Sequence, residues 1–320
     1  MVKVLYIAGW QRSGTTVAGN VLGSTPGAMH IGELHYLWMK EHPAGFECGC
    51  GRLIFECPVW KPVFDELEMT TEKRYEIRQL RRDSWRNDDV PSRYREWKRG
   101  RVDLAYPRAI GEVYRALVEC TDASLVVDST KNASDALAAS LAPGVDLHLL
   151  HVVRDPRAAA YSGLHGKSHG SDSSGLAMTH FSANRSTFHW NVRNLLIERR
   201  VKPTLGADRY RRVRYEDLMA NPREAFGEII DWVGLDRGSM PFTAESTLRM
   251  VRSHTVMGNP NRHTEGESTL RVDSRWVDKL GRRDRVMTTA LGSPLMLRYG
   301  YPLRSKAVTA GEPVTPSRRD

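Results

Sequence analysis

The chain has 320 residues, 40% hydrophobic and 27% charged, a composition that excludes fibrous and globally disordered classes and suffices for a sizeable core. No window approaches the roughly eighteen apolar residues of a membrane span, and the residues after Met1 read as a strand rather than a signal peptide, so a cytoplasmic protein is expected. An excess of 47 Lys+Arg over 38 Asp+Glu gives +9, favouring an anionic ligand without choosing among nucleotide, nucleic acid and anionic surface.

The run Val2-Lys3-Val4-Leu5-Tyr6-Ile7-Ala8 is short, apolar and β-branched, and predicts a buried parallel strand. Behind it stands GWQRSGTT, Gly9 to Thr16, with the glycine spacing of a phosphate-binding P-loop but Thr15 in the lysine's place. Val17, Val21 and Leu22 then share one helical face until Pro26-Gly27. Strand, glycine loop and helix follow in the order a phosphate cradle needs.

Residues 41–58 read as a Gly/Pro/Cys-rich loop. There Cys48, Cys50 and Cys57 supply three quarters of a zinc site, but the paired C-x2-C spacing and a clear fourth ligand are missing. Free thiols shaping a loop are expected, ahead of a disulfide or a metal. His165-x3-His169 has metal-ligand spacing without a third ligand, so no metal site is expected there. Residues 59–121 predict amphipathic helices with Trp60, Trp85, Trp97 and Tyr114 as core candidates.

Strands are expected at 124–128 and 146–153 with a crossover helix at 133–142, giving the βαβ alternation of a parallel sheet. Asp155-Pro156 and Asn221-Pro222 are helix starts. The second precedes Phe226, Ile229, Ile230 and Val233 at helical spacing and stops at Gly234. Between them 210–215 reads as a strand; 253–275 reads as a long functional loop and 305–320 as a disordered tail. The fold class is α/β: a P-loop-NTPase-like parallel sheet flanked by helices, in one domain over 1–304 with a helical insertion at about 41–121.

Two constellations carry chemistry. The backbone N–H groups from Ser13 through Gly14 and Thr15 to Thr16 sit at a helix N-terminus, where dipole and orphan donors bind an anion; the three hydroxyls add donors. With the lysine gone, Arg12 is the loop's strongest cation. The second constellation is His151-Val152-Val153-Arg154-Asp155-Pro156-Arg157 through Ser162. Arg154 stands where a parallel strand ends, and a guanidinium converging with the Ser162 hydroxyl suits a phosphate monoester. The alternative is Arg154 paired with a local carboxylate.

R-S-G-T-T after the first strand, with V-V-R-D-P-R-A-x-x-x-S after a later one, resembles the two cofactor signatures of the sulfotransferases that use 3′-phosphoadenosine 5′-phosphosulfate (PAPS). V-R-Y-E-D-L at 213–218 and G-N-P-N-R at 258–262 extend the likeness, which is closest to bacterial members related to the carbohydrate and tyrosylprotein enzymes. The resemblance implies that the first loop, Arg12 to Thr16, cradles the 5′-phosphosulfate and that Arg154 and Ser162 hold the 3′-phosphate. It places Tyr215 by the adenine and Arg262 at the 3′-phosphate or the acceptor, as a lid. It makes Arg12 and Lys131 the charge-stabilising cations and Glu33 the base, with His30, His35 and Asp128 as rivals. A sulfuryl group carries less charge than a phosphoryl group, so metal-independent in-line transfer is expected. The acceptor hydroxyl, on a small molecule, lipid, glycan or peptide tyrosine, stays open. An ATP-dependent kinase lacks its lysine here, and a basic nucleic-acid binder is the other alternative.

Overall fold

In the computed structural model, which describes residues 1–39, 46–165, 181–258 and 260–304, β1 (Val2–Gly9) is the middle strand of a five-stranded sheet. With β2 (Ala28–Gly32), β3 (Leu125–Lys131), β4 (Val145–Val153) and β5 (Tyr210–Arg214) the order is β2-β3-β1-β4-β5, every pairing parallel. Alternation along β1 sets the layers. Leu5 and Ile7 face α1 (Thr15–Gly23), which presents Ala18, Val21 and Leu22. Val4, Tyr6 and Ala8 face the opposite layer.

Much of that opposite layer comes from the segment between β2 and β3, which is helical as expected: α2 (Tyr36–Met39), α3 (Trp60–Glu66), α4 (Thr71–Ser84), α5 (Val90–Lys98) and α6 (Ala105–Glu119). Trp60, Trp85 and Tyr114 are buried in it, each side chain contributing on the order of 2–3 kcal/mol. Trp97 is only half-buried, tilted against Tyr94. A buried ion pair ties the layer to the crossover helix α7 (Ala133–Ser140): Arg81 Nε and Nη2 donate to Asp135 at 2.9 and 2.8 Å, and Tyr106 Oη at 2.6 Å. Burial pushes the Asp135 carboxyl up, but the Arg81 charge wins and holds it far below the carboxylate range.

The second half of the chain adds α8 (Pro156–His165), α9 (Ala183–Leu196), α10 (Tyr215–Ala220) and α11 (Pro222–Trp232). Asp155 caps α8 by accepting from the Arg157 N–H at 2.9 Å, as the Asp-Pro pair predicts. Asn221 gives α11 no such side-chain bond; Pro222 at the first position serves there instead.

Three departures from the sequence reading matter. The short edge strand β2 has no counterpart among the strands expected from sequence. The 253–275 segment is not all loop: β7 (Gly266–Thr269) lies within it and pairs antiparallel with β6 (Thr247–Met250) just before it, and α12 (Trp276–Lys279) and α13 (Arg282–Arg298) follow it. And the cysteine loop does have a fourth donor close by, His254, 197 residues from Cys57. The tail 305–320 and His169 lie outside the described residues.

Candidate active site

The strand order makes β1 the switch point of the sheet: its neighbours β3 and β4 lie on opposite sides, so the chain segments leaving their C-terminal ends diverge and leave a crevice. Gly9, Lys131 and Arg154 all fall at that edge. After β1 the loop turns through Arg12 at φ 65° and Gly14 at φ 87°, both left-handed, before α1 starts at Thr15. A Cβ on Gly14 would stand 2.4 Å from the Tyr215 ring, so the turn needs glycine for space as well as for conformation. The first turn of α1 carries no acidic side chain, which leaves its orphan N–H groups to an outside anion.

Arg12, Ser162 and Arg154 meet beneath this loop. Arg12 Nε donates to Ser162 Oγ at 3.0 Å, and Arg154 Nη1 donates to the Arg12 carbonyl at 2.9 Å. Burial first, and then the Arg154 charge, push the Arg12 guanidinium down. Tyr215 supports the pair from below, its ring centroid 4.3 Å from the Arg154 guanidinium carbon. Arg154 does have a carboxylate partner, but a remote one: Asp273 Oδ2 at 3.3 Å. Arg154 Nε and the fully buried Ser13 Oγ have no hydrogen-bond partner among the described residues. Unmet buried groups cost about 1–3 kcal/mol each, and a phosphate oxygen would satisfy them. The donor set therefore fits a phosphate- or sulfate-bearing anion.

On the other side of β1, two register shifts aim the next pair. β3 slips against β1 between the pairs Tyr6↔Asp128 and Ala8↔Lys131, and β2 slips against β3 between His30↔Val127 and Gly32↔Asp128. Such bulges redirect the side chains that follow, here Lys131 at φ 73° and Glu33 behind Gly32 at φ 78°. Lys131 Nζ pairs with Glu33 Oε1. Arg12 and Lys131 are thus both non-glycine residues at positive φ, a cost of order 1–3 kcal/mol each that the surrounding contacts sustain.

Glu33 and Lys131 line a cavity of about 150 Å³ with Trp10, His35, His189 and Arg193. Of the rivals for the base, His30 and Asp128 do not line it. His30 is clamped by Asn20 Oδ1 at 3.0 Å and Ser129 Oγ at 2.9 Å, and burial, reinforced by Lys131, lowers it to about 3. Asp128 accepts from Tyr114 Oη at 2.6 Å and the Thr130 N–H at 2.7 Å, and burial raises it to about 6. His35 does line the cavity, but burial and then Arg81 lower it to about 3. Arg262 is buried, with its Nε donating to His263 Nε2 at 3.1 Å.

Sequence reasoning passed over Asp273, and it named the tryptophans and the 165–190 region as cleft lining without singling out Trp10, Phe181 or His189. Trp10 stacks on His189 at 5.5 Å and tilts against Phe181 at 5.8 Å, while its Nε1 donates to Ser186 Oγ at 3.1 Å. Trp10 lies inside the loop motif as a variable position, and the others carry no motif at all.

The sequence matches the sulfotransferase family over residues 5–238. Among solved structures the chain resembles the sulfotransferase domain of the Synechococcus PCC 7002 olefin synthase, with TM-score 0.50 and 21% identity over 92% of this chain and 94% of that one. It also resembles the sulfotransferase domain from the curacin biosynthetic pathway, with TM-score 0.50 and 15% identity over 94% of this chain and 99% of that one. At these identities the likeness speaks for the fold alone. No curated protein matches the sequence. Among the described residues no helix is long and apolar enough to cross a membrane.

Proposed function

The chain belongs to the sulfotransferase family, and from that premise we propose that it transfers a sulfuryl group from PAPS to an acceptor hydroxyl by metal-independent in-line displacement. When bound, PAPS supplies the sulfuryl group. The N–H groups and hydroxyls of Ser13, Gly14, Thr15 and Thr16 would hold its 5′-phosphosulfate. Arg154 and Ser162 would hold the 3′-phosphate; Ser162 already accepts from Arg12, so its O–H remains to donate. Tyr215 would flank the adenine, and Arg262 would approach from the 260–263 segment.

Arg12 and Lys131 set two cations at one sheet edge, where they would offset negative charge on the leaving-group side of a bound donor. Arginine cannot give up its proton, so this stabilisation is electrostatic. Glu33 takes the proton of the acceptor hydroxyl at a carboxylate oxygen, and its pairing with Lys131 holds that carboxylate at the cavity wall. The acceptor enters past the aromatic wall and presents a hydroxyl of a small molecule, lipid or glycan.

The observation that carries this reading is the convergence of Arg12, Ser162 and Arg154 behind the loop, with Arg154 Nε and Ser13 Oγ left without a partner among the described residues. Isothermal titration with 3′-phosphoadenosine 5′-phosphate (PAP), without divalent cations, tests it. Tight binding is expected, weakened about a hundredfold in Arg154→Ala by loss of charge-assisted hydrogen bonds. No binding, or binding only of ATP with Mg²⁺, overturns it.

A further inference from the structure

The loop that brings Cys48, Cys50 and Cys57 together is shaped for ligation. The Gly51 N–H donates to the Cys48 carbonyl at 2.9 Å, and the Cys48 N–H to the Arg52 carbonyl at 2.8 Å, so the chain reverses tightly between the first two thiols. Cys57 arrives from the other direction, just ahead of α3. His254 comes from the far end of the chain, held in place because Trp60 Nε1 donates to its carbonyl at 2.7 Å.

Cys57 Sγ lies 3.5 Å from Cys48 Sγ, 3.8 Å from Cys50 Sγ and 3.2 Å from His254 Nδ1. All four ligand atoms lie within 4.8 Å of one another. A tetrahedral zinc ion with bonds of about 2.3 Å to sulfur and about 2.0 Å to nitrogen sets its ligand atoms about 3.8 Å apart for two thiolates and about 3.5 Å for thiolate and imidazole. The three spacings from Cys57 lie within about 0.3 Å of that tetrahedron and the remaining pairs within 4.8 Å, whereas a disulfide would pair two thiols and leave the third with the imidazole. Cys48 and Cys57 are buried, and none of the four residues lines the cavity of Glu33 and Lys131.

We propose that Cys48, Cys50, Cys57 and His254 form a structural zinc site of the Cys₃His class. With four protein ligands it offers no open position for a water or substrate, so it staples rather than catalyses. What it staples is the sheet edge beside the active site. Residues 254–256 run on from His254 along β2: the Val256 N–H donates to the Ile31 carbonyl at 2.7 Å, and the Glu33 N–H donates to the Val256 carbonyl at 2.8 Å. The Gly49 N–H donates to the Thr255 carbonyl at 2.9 Å, closing the loop onto the same segment. The metal thus fastens the segment whose backbone positions Glu33.

The test is the metal content of the purified full chain, by mass spectrometry of the elements, read without nucleotide or acceptor and so independent of the transfer reaction. One zinc per chain is expected, retained in Cys120→Ser and lost in Cys57→Ser and His254→Ala. Because removing a structural ligand can unfold the chain, cobalt exchanged into the wild-type chain gives a second reading: thiolate charge-transfer and tetrahedral ligand-field bands are expected. A folded wild-type chain that takes up neither metal stoichiometrically overturns the proposal. So does a chain isolated about two daltons light, with Cys48 bonded to Cys57.

Discussion

The cradle after β1 and the cavity beyond Lys131 share one sheet edge, yet they are made of different material. The cradle is built from consecutive residues, Arg12 to Thr16, and one short motif around Arg154 and Ser162; its donors are largely backbone. The cavity is built from side chains that arrive from five places: Trp10, the Glu33–Tyr36 stretch, Lys131, Phe181, and His189 with Arg193 on α9. A backbone cradle constrains sequence locally, because turn geometry and helix start must coincide. A side-chain cavity constrains only a volume, which many segments can enclose. The two halves should therefore respond differently to substitution.

The largest effect is expected on the cavity side. Glu33→Gln keeps the size and a hydrogen bond to Lys131 but removes the proton acceptor, so kcat should fall by about 10²–10⁴ with PAP affinity nearly unchanged. The measurement is transfer of label from PAPS into the acceptor fraction of a host extract, beside a PAP titration. Equal losses in both would erase the distinction between a chemical half and a binding half.

On the cradle side the pattern inverts. Gly14→Ala adds a Cβ at φ 87° and at 2.4 Å from the Tyr215 ring, so the loop must shift. PAP affinity should fall about tenfold and stability by about 1–3 kcal/mol, both read by calorimetry. Unchanged affinity would mean that the loop backbone is not what grips the nucleotide.

This asymmetry explains what could be read in the sequence. The strand, loop and helix around GWQRSGTT were legible because hydrophobic period and turn chemistry change within a few residues. Arg154 and Ser162 were legible because a strand end and a helix start fix their spacing. β2 was not, because Ala28–Gly32 has five residues, one of them His30, at a sheet edge where no long apolar run is required. Asp273, His189 and Arg193 reach the crevice only through tertiary proximity, and His254 reaches the cysteine loop in the same way, from 197 residues beyond Cys57, where no spacing pattern marks it. Glu33 was reached by resemblance, and the bulges that aim it and Lys131 have no sequence mark beyond Gly32.

The smallest effect concerns the joint between the halves. His30 bridges α1, through Asn20, and β3, through Ser129, and its ring fills the space beside Gly19 where a Cβ would stand 2.3 Å from Nε2. Buried and neutral, it titrates at about 3 in the folded chain against about 6.5 unfolded. Below pH 6.5 the unfolded chain therefore binds a proton that the folded chain refuses, so this stability is full above 6.5 and is lost as pH falls toward 3. The slope is at most about 1.4 kcal/mol per pH unit from this residue. His30→Gln, which keeps an amide for both partners and cannot titrate, should unfold with a shallower dependence by up to that amount in denaturant melts between pH 7 and 5. Since His35 and His151 are also lowered by burial, to about 3 and about 4, some acid sensitivity persists in the variant. An identical slope would mean that His30 does not carry this proton linkage and that the acid sensitivity comes from other groups.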